Sequence, residues 1–418
     1  LGSLGLSLDI KGSGSNSNNI NAEAKGDLSF VEINGERLEN VSIDAELKPE
    51  YFNGFIGLED SVTFIAAVGE IDFSKKIPEY KLNLDLQEKD LRRFIDSSAV
   101  KLGINLSAEL HGKGFDYENI DAEFVISSLQ FTDSASVQSF NNTILSIYNS
   151  PLGKELRLSS NFINASVSGD LDPKMLKNSL LSLMPKTPWT TKEYEGLQDF
   201  YFTVNIDNNY PIKWLSKGDL FLANGSYLSG SWRSTSSDYS LILQSDSVSY
   251  EGIQMDKANF FLETKDDVFS ADIYAAKLAR GNMYLNEVQV NLNYKDEGKW
   301  SINAYNGFNN YFEAIGTYAH NVDSMEVKIA NVEGKLVGKR VSSLGQGRIY
   351  ADTSVVRASD FKLSIENKPF LVDGAYDFKK GIERLDLLAY DFDLAYLNQL
   401  GLNDPILGGV GNIVVNVD

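Results

Sequence analysis

"YKLNLDL", residues Tyr80 to Leu86, places an apolar side chain at every second position and a polar one between each pair. Successive side chains on a β-strand point to opposite faces, so this run makes one greasy face and one wet face. The same period recurs in "VSIDAEL" from Val41, "INASVSG" from Ile163, "VQVNLNY" from Val288 and "FKLSI" from Phe361. Short antiparallel strands are therefore the expected element, about 30 of them at roughly one turn signal per dozen residues. Asn34-Gly35, Asn53-Gly54, Asn224-Gly225 and Asn306-Gly307 stand between such runs, and Asn-Gly supplies the positive φ angles of a tight hairpin. Few helices are expected, all short and amphipathic. The clearest covers 173–184, capped by Asp172, with Leu176, Leu180 and Leu183 on one stripe. Shorter candidates begin at Glu88 ("EKDLRRFI") and Asp393 ("DLAYLNQLG").

The strands belong to a repeat. "GSGSNSNNINAE" from Gly12 and "GKGFDYENIDAE" from Gly112 agree at six of twelve positions, at an offset of 100 residues. "GEIDF" at Gly69 finds a counterpart in "GDLDP" at Gly169 and again in "GAYDF" at Gly374. A strand-rich unit repeated without a fixed short period predicts an elongated sheet in which repeats touch mainly their neighbours. Repeat boundaries are expected at 1–99, 100–190, 191–340, 341–406 and 407–418, all feeding one continuous groove. "LGGVG" at Leu407 echoes "LGSLG" at Leu1, as if a further unit began there, so the chain reads as part of a longer one.

Composition narrows the chemistry. With 43% hydrophobic residues the chain can bury a core, and its net charge of -20 repels nucleic acid backbones. The absence of cysteine removes thiolate metal sites and thiol nucleophiles. Its two histidines, His111 and His320, lie far apart with no helical metal motif around them. "GKGFD" resembles a calcium-binding turn, but Asn16 stands where Asp116 would be the ligand and neither copy is tandem, so a strand bend or bulge is the better reading. No phosphate loop, nucleophile elbow or dinucleotide fingerprint appears, and acidic clusters such as "YDFDL" at Tyr390 read as solvated strand faces. The expectation is a protein with neither catalytic activity nor cofactor. Irregular strand lengths and charged polar faces argue against an outer-membrane barrel.

Two stretches, "FIAAVGEIDFSKKIPEYKLNLDLQ" from Phe64 and "LRLSSNFINASVSGDLDPKMLKNSLLSLM" from Leu156, resemble the TamB family of translocation and assembly module subunits, in its Bacteroidota-type form, within the AsmA-like superfamily. The resemblance implies an all-β, elongated, curled repeat sheet, the β-taco, with an apolar open groove inside. It also implies a periplasmic place in a Gram-negative cell envelope, bridging the two membranes. An N-terminal anchor outside this chain would hold the inner membrane, and a BamA/TamA-type β-barrel would be the outer-membrane partner. The implied role is to carry phospholipid along the groove between inner and outer membranes, or alternatively to scaffold outer-membrane protein assembly with the barrel.

Alternation nominates the groove lining independently of the resemblance. The candidates are Val41, Ile43, Ala45, Leu47, Val62, Phe64, Leu82, Leu84, Leu86, Phe124, Ile126, Leu156, Leu158, Ile163, Ala165, Val167, Val288, Val290, Leu292, Phe361, Leu363 and Ile365. Phospholipid acyl chains are the ligand such a surface would take, and the helix at 173–184 is a possible gate.

Overall fold

The computed structural model describes every residue except 1–3, 15–18, 34–35, 91–102, 133–136, 152, 172–197, 217–218, 235, 237, 267, 282, 295–297, 306–310, 322–323, 337, 380, 394–408 and 418. The chain is all-β, with 27 strands that pair antiparallel throughout the described residues. Two compact units, Leu1–Gly169 and Asp170–Asp418, divide it.

The first unit is a meander in which each strand pairs with the next: β1 (Leu4–Ser13), β2 (Asn21–Ile33), β3 (Glu36–Lys48), β4 (Tyr51–Glu59), β5 (Thr63–Asp72), β6 (Glu79–Glu88), β7 (Gly103–Lys113), β8 (Asp121–Thr132), β9 (Val137–Ser150), β10 (Gly153–Ser159) and β11 (Ile163–Asp170). The second runs through β12 (Asp199–Ile206), β13 (Leu220–Leu222), β14 (Ser226–Arg233), β15 (Asp238–Tyr250), β16 (Ile253–Lys265), β17 (Val268–Arg280), β18 (Met283–Tyr294) and β19 (Gly298–Tyr305). It continues with β20 (Tyr311–Asn321), β21 (Ser324–Leu336), β22 (Lys339–Ser343), β23 (Gly347–Asp352), β24 (Val355–Ile365), β25 (Lys368–Asp377), β26 (Gly381–Asp393) and β27 (Val410–Val417). Twice a ladder position is filled by two short strands end to end: β13 and β14 both pair with β15, and β22 and β23 both lie between β21 and β24.

β6 shows why the sequence takes this form. Along "EYKLNLDLQE" exposure alternates residue by residue, with Lys81, Asn83, Asp85 and Gln87 out and Leu82, Leu84 and Leu86 half-buried. Polar rows meet in exposed ion pairs, Lys81 with Glu109 at 2.8 Å and Lys25 with Asp44 at 3.3 Å. Pairs this exposed contribute at most about 1 kcal/mol each, so the ladder and the apolar face carry the fold.

The repeat is structural as well as sequential. Gly12 pairs with Ala22 and Gly112 with Ala122, and a Cβ on either glycine would stand 2.9 or 2.6 Å from the alanine Cβ. Two residues on, Gly14 and Gly114 take φ of 102° and 75°, a conformation that favours glycine. Asp116 offers the turn its backbone carbonyl, which accepts from the N–H groups of Asn119 and Ile120. β6 pairs with β7 across the repeat boundary at 99/100, and the boundary at 340/341 falls inside β22.

Two of the Asn-Gly hairpins are corrected. Asn53-Gly54 lies within β4; the β3–β4 reversal is at Pro49-Glu50, between the paired Lys48 and Tyr51, where Glu50 takes φ of 60°. Asn224-Gly225 makes a turn with Gly225 at φ 82°, but it interrupts one strand line, because β13 and β14 continue along the same neighbour. Asn34-Gly35 and Asn306-Gly307 lie outside the described residues. So does the expected helix at 173–184, together with most of the candidates following Glu88 and Asp393, which are themselves the last residues of β6 and β26. One described helix was not expected: α1 (Tyr210–Leu215), where the Asn208 side chain accepts from the Tyr210 N–H at 3.0 Å and Pro211 sits in the first turn.

Candidate functional site

Cross-strand register turns the alternation into rows. In the first unit Ile10, Ala24, Ala45, Gly54, Gly69, Leu82, Leu110, Phe124, Leu145, Leu158 and Ala165 lie side by side, each paired to the next across all eleven strands. Two positions along each strand runs a second row without a charged residue: Gly12, Ala22, Leu47, Phe52, Ile71, Tyr80, Gly112, Ala122, Ile147, Leu156 and Val167. Between them, on the other face, every residue is polar: Lys11, Glu23, Glu46, Asn53, Glu70, Lys81, His111, Glu123, Ser146, Arg157 and Ser166. Ile43 and Leu84 share a third apolar row through Ile56 and Ala67, which Ala108 and Ile126 continue. Val41 and Leu86 share a fourth through Leu58 and Ile65. Ile163 follows by alternation from Ala165 and Val167.

Two nominated residues do not belong. Phe64 pairs with Gln87 and Glu59, on the charged face, because Ile65 is the residue that pairs with Leu86. Val62 is in the turn before β5, its N–H donating to Asp60 Oδ1 at 2.7 Å. Leu176, Leu180 and Leu183 lie outside the described residues.

The second unit repeats the arrangement. Phe202, Gly230, Leu241, Leu262, Ala271, Leu292, Trp300, Gly316 and Ile329 form one row; Val204, Leu228, Leu243, Phe260, Ile273, Val290, Ile302, Ala314 and Val332 form the next. Val288 lies on the same face beside Ala275, and Phe361, Leu363 and Ile365 face Val372, Phe370 and Val341 across their ladders. Aromatic rings tile this floor over neighbouring glycines. A Cβ on Gly316 would fall 2.6 Å from the Trp300 ring, and one on Gly230 or Gly347 would fall 2.7 Å from Phe202 or Phe361. Trp300 Nε1 donates to Thr317 O at 3.2 Å, fixing the ring that covers Gly316. Such pairing keeps the backbone under a glycine shielded while leaving the surface apolar.

Where the apolar face closes most tightly, the strands change phase. β16 presents Ile253 and Met255 before Lys257, then Ala258, Phe260 and Leu262 after it; β18 shifts in the same way at Glu287. Lys257 and Glu287 have φ of 48° and 47°, and the ladders skip both together with Asp246 and Ala276, which makes a line of unpaired positions across β15 to β18. Beside that line the side chains are small and covered: Ala258 is 1% exposed, Ala275 2%, and Ser226 and Ser245 join hydroxyls at 2.6 Å. Left-handed residues within strands bend them, and small side chains leave room for a tight bend, so the strands crease along this line. Asn40 and Asn142, at φ 55° and 57°, mark the same device in the first unit, beside buried Val41 and Phe140.

Polar groups enter this face at its ends. Glu88, 2% exposed, accepts from Thr63 Oγ1 at 2.6 Å and from the Asp90 N–H at 2.8 Å. Lys154 reaches over the loop of the second repeat copy and donates to the carbonyls of Glu118 and Ile120, both at 3.0 Å; burial pushes its ammonium below the ordinary lysine range. Burial likewise raises the Tyr80 and Tyr318 phenols. His111 meets Glu123 at 3.7 Å on the charged face, while His320 pairs with Met325 in the other unit. Among the described residues no group of three or more His, Asp or Glu converges as a metal site.

The creases were missed in the sequence although "IQMDKANFFLETK" carries the signal, a one-residue slip of its apolar period at Lys257. Against protein-family models, curated proteins and solved structures alike, the chain finds no match.

Proposed function

We propose that this chain carries phospholipid acyl chains along the apolar face of its sheet, as part of a periplasmic bridge of the TamB type between inner and outer membranes. The observation that supports the reading is the pair of rows across eleven strands, without a single charged residue in either. Burial of a methylene is worth about 0.8 kcal/mol, so half of one sixteen-carbon chain left in water costs about 6 kcal/mol. A path for lipid therefore has to be unbroken. Rows in register answer that need better than any single pocket.

Ile43 and Leu84 are the test positions, because both sit mid-strand on the apolar face and are only half-buried. Ile43→Asp or Leu84→Asp in the full chain is expected to abolish transfer of a fluorescent phospholipid between vesicles while the circular dichroism stays that of a sheet. Asn83→Asp, on the opposite face, is expected to leave transfer alone. Undiminished transfer in the first two variants would sink the reading. Photocrosslinkers at the same positions that capture barrel strands instead of lipid would favour the assembly scaffold.

A further inference from the structure

The sequence contains two Lys-Lys pairs, and both follow the same residues: Asp72-Phe73-Ser74-Lys75-Lys76 and Asp377-Phe378-Lys379-Lys380. Each stands at a hairpin tip, between β5 and β6 in the first unit and between β25 and β26 in the second. The tips are built alike. In each, the aspartate Oδ1 accepts the N–H two residues on, from Ser74 at 2.9 Å and from Lys379 at 2.7 Å. The phenylalanine N–H donates to the hairpin before it, Phe73 to Glu50 O at 2.7 Å and Phe378 to Ser354 O at 2.9 Å. Yet both rings are left in the open, 43% and 48% exposed, beside exposed Lys75, Lys76 and Lys379. The apolar face starts just behind: Ile71 pairs with Tyr80, and Tyr376 meets Phe378 edge-on at 5.9 Å.

We propose that each of these tips, within its own unit, holds the headgroup of an anionic phospholipid, the lysines meeting the phosphate-bearing head and the phenylalanine the glycerol and first acyl carbons. The proposal rests on the lipid-carrying reading and adds which lipid the rim favours and where. Charge decides the occupant. A chain of net charge -20 repels anionic lipid as a whole, so attraction has to be local, and in these tips the aspartates are engaged by their own turns while Lys75 and Lys76, and in the second tip Lys379, are exposed close in sequence to an exposed ring. An aromatic ring next to lysine is the combination that meets a headgroup layer, the ring at the apolar boundary and the ammonium at the phosphate.

The test offers the full chain equal amounts of phosphatidylglycerol and phosphatidylethanolamine with identical acyl chains and reads bound lipid by native mass spectrometry. About a fivefold excess of phosphatidylglycerol is expected, from roughly one lysine's worth of headgroup attraction. The combined Lys75→Ser, Lys76→Ser and Lys379→Ser variant should show no preference between the two lipids, and excess inorganic phosphate should leave the wild-type preference intact. Equal binding by the wild type, a preference that survives in the variant, or a preference erased by inorganic phosphate each overturns the headgroup site and leaves the lipid-carrying reading standing. If neither lipid binds, that reading falls and the headgroup site with it.

Discussion

Asn142 illustrates how single residues shape the face. It sits within β9 at φ 57°, exposed, with Phe140 and Thr143 buried on either side of it. The left-handed conformation costs an ordinary L-residue about 1 kcal/mol, asparagine less, and glycine essentially nothing. Asn142→Ala is accordingly expected to lower stability by about 1 kcal/mol, while Asn142→Gly stays within about half of that; urea midpoints measure both. Equal losses would mean that the side chain, not the backbone angle, matters there. Phe64 teaches the complementary lesson about legibility. In "SVTFIAAVG" apolar residues occupy both phases, so alternation alone does not assign a face; only the pairing of Ile65, Ala67 and Gly69 with Leu86, Leu84 and Leu82 does. In β6, where polar and apolar residues separate cleanly, the sequence was sufficient.

At the scale of elements, the hairpin tips depend on carboxylates in a way that pH exposes. Asp72 Oδ1 accepts from the Ser74 hydroxyl and N–H, and Asp352 Oδ1 accepts from the Ser354 hydroxyl and N–H and from the Val355 N–H. These bonds, the serine hydroxyl foremost, hold both carboxyls below the ordinary value of 3.8. A depressed folded value means the stabilisation is complete above the unfolded value and disappears as pH falls through the folded one. Carboxyl-carbon NMR is expected to place both midpoints below 3.8, with Ser74→Ala and Ser354→Ala moving them up; ordinary midpoints in the wild type would contradict the turn geometry. The turns also mark where sequence reading fell short. Asn53-Gly54 has the composition of a hairpin, but the apolar phase runs through it from Phe52 to Ile56 and Leu58, and ladder pairing on both sides outweighs the local preference for a turn.

Over a whole unit, the rows make a prediction that no single strand does. If lipid moves along the first unit's apolar face, blocks on different strands act in series. Leu84→Ser on β6 and Phe124→Ser on β8 should each slow vesicle-to-vesicle transfer in part, and the double variant should be little slower than the slower of the two. Independent docking sites would instead give losses that multiply. The sequence made the apolar face legible because its period is two; it could not make the rows legible, since register depends on turn lengths and bulges such as the one between Ser107 and Ala108.

The two glycine-bearing turns add a consequence for descent. They stand between β1 and β2 and between β7 and β8, six strands apart. Six is even, so the second copy returns to the same rim with the same face turned the same way, and Gly112 meets Ala122 as Gly12 meets Ala22. A lineage that gains or loses strands two at a time can therefore change how far such a sheet reaches without altering its cross-section, whereas the gain of one strand would reverse every face beyond it.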